Sequence, residues 1–221
     1  MTPPPPSRPL PPPRPPPSVR VGGIGRSTAT PDQLTVHVGV ETAARTAAAA
    51  MADNATRATE LIAALRAAGV AAADVQTSNL SVFPEYDDKG RFITGYRVSN
   101  SVTATVRDLS RASDLLDAAA SAAGDALRIN GLSFSVADMA PHLAEARAAA
   151  VADARLRAQQ LATAAGVTLG RLRHMSDLPG AHERGPMSAH SMMAAGAYGT
   201  PVEAGSQEIC AEVELVYDIA D

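Results

Sequence analysis

Tryptophan is absent from the 221 residues, and phenylalanine and tyrosine together make up only 3% of the chain. A core with so few rings has to be built from Ala, Val, Leu and Ile, and side chains this small favour close helix packing. No apolar run reaches the roughly 18 residues that a membrane-crossing helix needs. The 46% hydrophobic content therefore reads as globular, with no transmembrane segment. Cysteine occurs once, at Cys210, so no internal disulfide can form. It stands in "EICAEVELVYDI", an alternating stretch where a thiol fills space in a strand. A nucleophilic role would need a histidine beside it, and the local sequence supplies none. An excess of positive charge is lacking too. A net charge of -4, with the two signs interspersed, leaves neither a basic face for phosphate backbones nor a polybasic membrane patch. Nucleic acid is not an expected partner.

Proline, by contrast, is concentrated at one end, with eleven of the 17 in residues 3–17, "PPPPSRPLPPPRPPP". Proline fixes φ and has no N–H to donate, so such a segment forms neither helix nor sheet ladder. Residues 1–18 are expected to be a disordered, solvated arm of polyproline II character. Its PxxP spacing, with Arg8 and Arg14, would suit an SH3-like or WW-like groove. Residues 1–30 show no basic start, apolar stretch and small-residue cleavage site in the order of a secretory signal. As written the chain is expected in the cytoplasm, with export as the alternative if the true start lies upstream.

From Val19 onward the periodicity organises a single expected domain over 19–221. "VRVGGIG" and "DQLTVHVGVET" alternate with period two and predict two strands. In the second, Leu34, Val36, Val38 and Val40 share a face and His37 takes the other. Alanine-rich segments predict helices over about 43–68, 109–123 and 141–165, each closed by Ala-Ala-Gly, at Gly69, Gly124 and Gly166. Between them, "QTSNLSVFPEY" and "RFITGYRVSNSVTATVRD" flank Asp87-Asp88-Lys89-Gly90, which has the composition of a tight turn, and predict a long hairpin. Tyr96, Val98, Val102, Ala104 and Val106 share one face of its second arm, broken by Asn100. A bulge near Gly95 is compatible with the parity of Ile93, and Pro84 belongs at an edge or a bulge. The hairpin carries four of the seven rings, Phe83, Tyr86, Phe92 and Tyr96, whose economical use is cross-strand packing. A strand over "ALRINGLSFSVAD", another at "TLGRLRHMSDL", a Gly-, Pro-, His-, Met- and Ala-rich flexible loop over about 179–205 and a closing strand complete the order β-β-α-β-β-α-β-α-β-β. The fold class is α+β, with a largely antiparallel sheet covered by three helices.

Chemistry-bearing patterns are few. "VGGIG" at 21–25 is followed by a strand-like run, so no helix N-terminus is there to hold a phosphate. Asp87 and Asp88 stand at a turn, where aspartate commonly serves local hydrogen bonding. The late loop "HMSDLPGAHERGPMSAHSMMAAGAYG" mixes imidazole and thioether groups suited to copper, especially Cu(I). Its candidate ligands are His182, His190, Met187, Met192 and Met193, with His174 and Met175 upstream. The competing reading is adaptable apolar contact by methionine, at a subunit interface for example. No constellation for a hydrolase or transferase can be named.

Five stretches, "GIGRSTATPDQLTVHVGVET", "AADVQTSNLSVFPEYD", "ITGYRVSNSVTATVRDL", "INGLSFSVAD" and "EARAAAVADARLRAQQLATAAGVTLGRL", together resemble the SIMPL domain family over about 19–219. The resemblance lies in a Gly-x-Gly opening, Pro-Asp before the second strand, Asp-x-Gln-Thr after the first helix, Pro-x-Tyr and Gly-Tyr on the hairpin, and "A-x-x-D-A-R-x-x-A" in the third helix. It implies an α+β protein with no established enzymatic activity. Bacterial members are often exported; some are linked to oxidative-stress defence or known as immunogens, and some form large ring-like oligomers. The animal member binds a signalling kinase. No catalytic residue and no cofactor is carried over. The leading expectation is a non-enzymatic scaffold or interaction module that self-associates, with Pro84, Tyr86 and Tyr96 as its contact residues. A copper-binding stress protein is the alternative.

Overall fold

The computed structural model describes residues 16–178, 183 and 184, and 202–220. Its elements run β1 (Ser18–Ala29), β2 (Gln33–Ala44), α1 (Ala47–Ala67), β3 (Val75–Tyr86), β4 (Ile93–Val106), α2 (Ala112–Ala123), β5 (Leu127–Ser135), α3 (Ala140–Ala165), β6 (Thr168–Leu178), β7 (Glu183–Arg184) and β8 (Gln207–Ala220). This is the expected α+β order with the two-residue β7 added. The strands divide between two sheets, ordered β1-β8-β6, with β7 also on β8, and β3-β4-β2-β5; every paired ladder with a resolved register is antiparallel. The chain likewise divides into two compact units. One holds residues through Ser27, Ala140–Glu183 and Ile209 onward, and the other holds Thr28–Met139 with Arg184–Glu208.

In the first unit β1 alternates strictly, burying Val21, Gly23, Gly25 and Ser27 while Gly22, Ile24 and Arg26 stay exposed. Helix α3 presents Ala146, Ala150, Ala154, Ala158 and Ala162, all fully buried, along one i+4 row. A Cβ added at Gly23 would overlap the Ala150 carbonyl and the Ala154 methyl, and one at Gly25 would overlap the Ala146 carbonyl and the Ala150 amide. Glycine facing alanine thus lets helix and strand backbones touch, which is how a ring-poor composition reaches interior density. Asp153 of α3 accepts the Ile24 N–H at 2.9 Å, tying the two elements by a polar bond as well.

In the second unit α1 and α2 cover one face of the β3-β4-β2-β5 sheet, and Leu34, Val36, Val38, Val40, Val102, Ala104 and Val106 pack with Leu61, Leu65, Leu115 and Leu116. Burying one such leucine contributes roughly 1.5–3 kcal/mol. The end of α1 follows from Gly69, whose φ of +101° suits a residue without Cβ. Gly69 N–H donates to Arg66 O, Val70 N–H reaches back to Leu65 O at 3.1 Å, and the Val70 side chain joins the core. Gly166 closes α3 in the same way, with Val167 N–H donating to Ala162 O. Gly124 (φ +52°) ends α2 as expected, its N–H donating to Ala120 O, and a 3-10 turn, Gly124–Ala126, then leads into β5.

The most deeply buried polar residue described in this unit is Asn54. Asn54 of α1 is 1% exposed, and its Nδ2 donates to Val40 O of β2 and Val98 O of β4, both at 3.2 Å. Replacing Asn54 by alanine removes the donor and opens a small void, so urea unfolding of Asn54→Ala is expected to show a loss of about 1–3 kcal/mol.

Candidate interaction surface

The β3–β4 hairpin turns at Asp87, whose Oδ1 accepts the N–H of Arg91 at 2.6 Å and of Phe92 at 3.2 Å, while Gly90 (φ +66°) donates to Asp87 O. The aspartate at this turn serves the backbone, as its composition predicts. Pairing is regular from Asn79↔Ser101 to Glu85↔Gly95, then shifts so that Tyr86 faces Ile93 and Thr94 is the extra residue. A bulge therefore sits beside Gly95, and β3, with Pro84, lies at the sheet edge, where the missing N–H of proline is tolerated.

Directly opposed residues of an antiparallel pair share a face, so Pro84 lies beside Tyr96 and Tyr86 beside Ile93. Alternation adds Leu80 and Val82, the latter opposite Val98. The three residues singled out in the sequence, Pro84, Tyr86 and Tyr96, are thus brought together on the face that farther along the sheet is covered by helices. Along β4 burial fades toward the turn, from Val98 at 0% exposed to Ile93 at 50%. The edge strand β3 is open along its length, with Leu80 and Tyr86 each at 55%. Of the four rings, Tyr86 and Tyr96 meet apolar partners across the strands, Tyr86 exposed and Tyr96 half-buried. Phe83 is exposed on the opposite face and Phe92 at the turn, where the Arg91 guanidinium stands 5.5 Å from its ring centroid. Period-two alternation gave the parity of these side chains; the reach of the helix layer, which decides their exposure, leaves no mark in the local sequence.

The opposite face of the same sheet is polar. Arg97 of β4 donates through Nε to Glu85 at 2.9 Å and lies 3.7 Å from Glu41, which also receives Arg128 at 3.0 Å. The hydrogen bond to Glu85, with the nearby charges of Glu41 and Glu85, raises the affinity of the Arg97 guanidinium for its proton. His37 lies on this face, 3.2 Å from Thr103 Oγ1.

A small cleft of about 180 Å³ opens where α1 ends, lined by residues that include Gly69, Asp74, Arg107, Asp108 and Arg111. Arg107 grips Asp74 with both Nε (3.1 Å) and Nη2 (2.8 Å), which holds the Asp74 carboxyl below its ordinary value of 3.8 and raises the Arg107 pKa. Hydrogen bonds from Ser110 lower Asp108 as well. Because the folded-state pKa of Asp74 is depressed, its contribution to stability is complete above 3.8 and fades as pH falls through the lowered value. In an Arg107→Gln chain the Asp74 titration, followed by carboxyl NMR, is expected to move up toward 3.8. A titration left in place would mean that the bidentate pair is not its cause.

In the first unit, buried Ser27 donates to Glu145 Oε2 at 2.6 Å and lies 3.4 Å from His142 Nδ1. The hydroxyl proton is directed at the carboxylate rather than at the imidazole, so the trio fastens β1 to α3. Cys210 lies half-buried on β8, in a strand as its alternation predicts. His174 and Met175 lie on β6. The candidate copper ligands His182, His190, Met187, Met192 and Met193 lie outside the described residues. Among the described residues no group of three or more His, Cys, Asp or Glu side chains converges as a metal site, and no helix is long and apolar enough to cross a membrane.

Comparison with known proteins places this geometry. The family model SIMPL, "Protein of unknown function (DUF541)", matches residues 19–217. The 26 kDa periplasmic immunogenic proteins of Brucella melitensis biotype 1 and Brucella abortus strain S19 are each 34% identical over 223 residues, covering 92% of this chain and 85% of the relative. The protein YggE of Escherichia coli K12, itself named as uncharacterized, is 32% identical over 148 residues, 66% of this chain and 59% of that protein. With its two antiparallel sheets, three alanine-rich helices and a match across nearly its whole length, the chain belongs to the SIMPL family.

Proposed function

We propose that this chain is a non-enzymatic interaction module that self-associates, and that its contact surface is the open face of the β3–β4 hairpin. The observation that carries this reading is the row Leu80, Val82, Tyr86 and Ile93, each at least 40% exposed and contiguous with Pro84 and Tyr96. A contiguous apolar face of this kind is costly to leave in water and marks a binding site. Sedimentation velocity of the full chain over a range of concentrations tests it. The expected result is a species heavier than 22.7 kDa that shifts toward monomer in Tyr86→Ser and Ile93→Ser chains. A monomer at every concentration, with no partner in pull-downs, would end the reading. The periplasmic location in the names of the Brucella relatives supports export over the cytoplasmic expectation. Fractionation of source cells tests this, and recovery with cytosolic markers would refute it.

A further inference from the structure

Residues 3–15 repeat with the period of the conformation that proline imposes. Polyproline II turns once in three residues, with a repeat of about 9 Å. Pro3, Pro6, Pro9, Pro12 and Pro15 stand three apart, so one edge of such a helix is proline throughout. A second edge carries Pro5, Arg8, Pro11 and Arg14. In that conformation the two arginines would share an edge with Pro5 and Pro11, apart from the all-proline edge. Such a ligand calls for aromatic side chains against its proline edge and a negative environment for its arginines.

The hairpin face meets the first requirement. Tyr86 and Tyr96 flank Pro84 on it, Tyr96 directly opposite Pro84 and Tyr86 two residues along the same strand. From Leu80 to Tyr86 the face runs about 20 Å, the length of two proline repeats. Charge meets the second. Residues 3–17 hold two arginines and no acid, which leaves 17 basic against 23 acidic residues, a net charge of -6, in the rest of the chain. The arm is cationic, and the body that would receive it is anionic. At the hairpin turn Asp87 and Asp88 are matched by Lys89 and Arg91, so the attraction is that of the body's net charge and not of the turn.

We infer that the Leu80–Tyr96 face of the hairpin is a docking surface for the polyproline arm, residues 3–15, of a second copy of this chain. The inference rests on the self-association reading and names the segment that is exchanged. Binding is a stack of pyrrolidine rings on Tyr86 and Tyr96, with Leu80, Val82 and Ile93 extending the apolar contact. Arg8 and Arg14 add an electrostatic attraction that salt weakens.

The test is fluorescence anisotropy of a labelled peptide of residues 1–17 titrated with the full chain. Saturable binding is expected, weakened at least tenfold by Tyr86→Ala with Tyr96→Ala in the full chain. A similar loss is expected for a peptide with Pro3, Pro6, Pro9, Pro12 and Pro15 replaced by alanine, a change that leaves the folded protein untouched. Unlabelled peptide should also lower the mean mass of the full chain in solution. Equal binding by the alanine peptide, equal binding by a folded tyrosine variant, or no binding overturns the inference. If the chain associates but ignores the peptide, this inference alone fails. A full chain that stays monomeric removes the second copy and overturns the self-association reading with it.

Discussion

A Gly25→Val chain is expected to lose about 3 kcal/mol of stability or more, at or beyond the upper end of ordinary overpacking costs. The side chain has nowhere to go. Its first carbon already falls on the Ala146 carbonyl oxygen and the Ala150 amide, and both belong to the backbone of α3, which cannot rotate aside as a side chain would. Helix and strand have to separate, and the fully buried alanine row then loses its contacts together. The neighbouring Gly22→Ala chain is the control. Its added methyl points away from α3 and meets only the Val213 carbonyl, at an ordinary 4.0 Å. That change is expected to stay within about 0.5 kcal/mol. Urea midpoints of the two variants check the contrast, and similar values would show that the α3–β1 approach is looser than described.

The second large effect is expected in the other unit. Leu61 is fully buried in the cluster formed by α1, α2 and the sheet, so Leu61→Ala should cost about 2–5 kcal/mol through lost transfer energy and the cavity left behind. Leu156, on α3, is the same residue type at 58% exposure, and Leu156→Ala should cost well under about 1 kcal/mol. Thermal or urea unfolding distinguishes them. Equal losses would contradict the assignment of Leu61 to the core.

Much of this architecture could be read from the chain because the signals are local. Alternation marked β1, β2 and β4, and the Ala-Ala-Gly endings placed the stops of α1 and α3 within the range of their backbone bonds. Scarcity of rings pointed to close helix packing, which the alanine row of α3 against Gly23 and Gly25 realises. What could not be read depends on partners far apart in sequence. β1 and β2 are neighbours separated by "TPD", yet they join different sheets, because β1 pairs with β8 at the other end of the chain. No local pattern encodes that choice. Gly124 stops α2 as Gly69 stops α1, but the 3-10 turn that follows it, Gly124–Ala126, had no signal in the sequence. The candidate surface was legible by type and parity, through Pro84, Tyr86 and Tyr96, and its openness was not. The ion pair of Asp74 with Arg107, 33 residues apart, carried no motif that could have announced it.

Asn54 has a consequence for how the second sheet is assembled. Its one amide nitrogen touches a carbonyl on each of two adjacent strands, so α1 seats fully only when β2 and β4 are correctly aligned. If β4 slid by a single residue, a valine side chain would turn outward and the waiting amide would meet carbon instead of oxygen. The helix thereby acts as a gauge that accepts one alignment of its strands and rejects its neighbours.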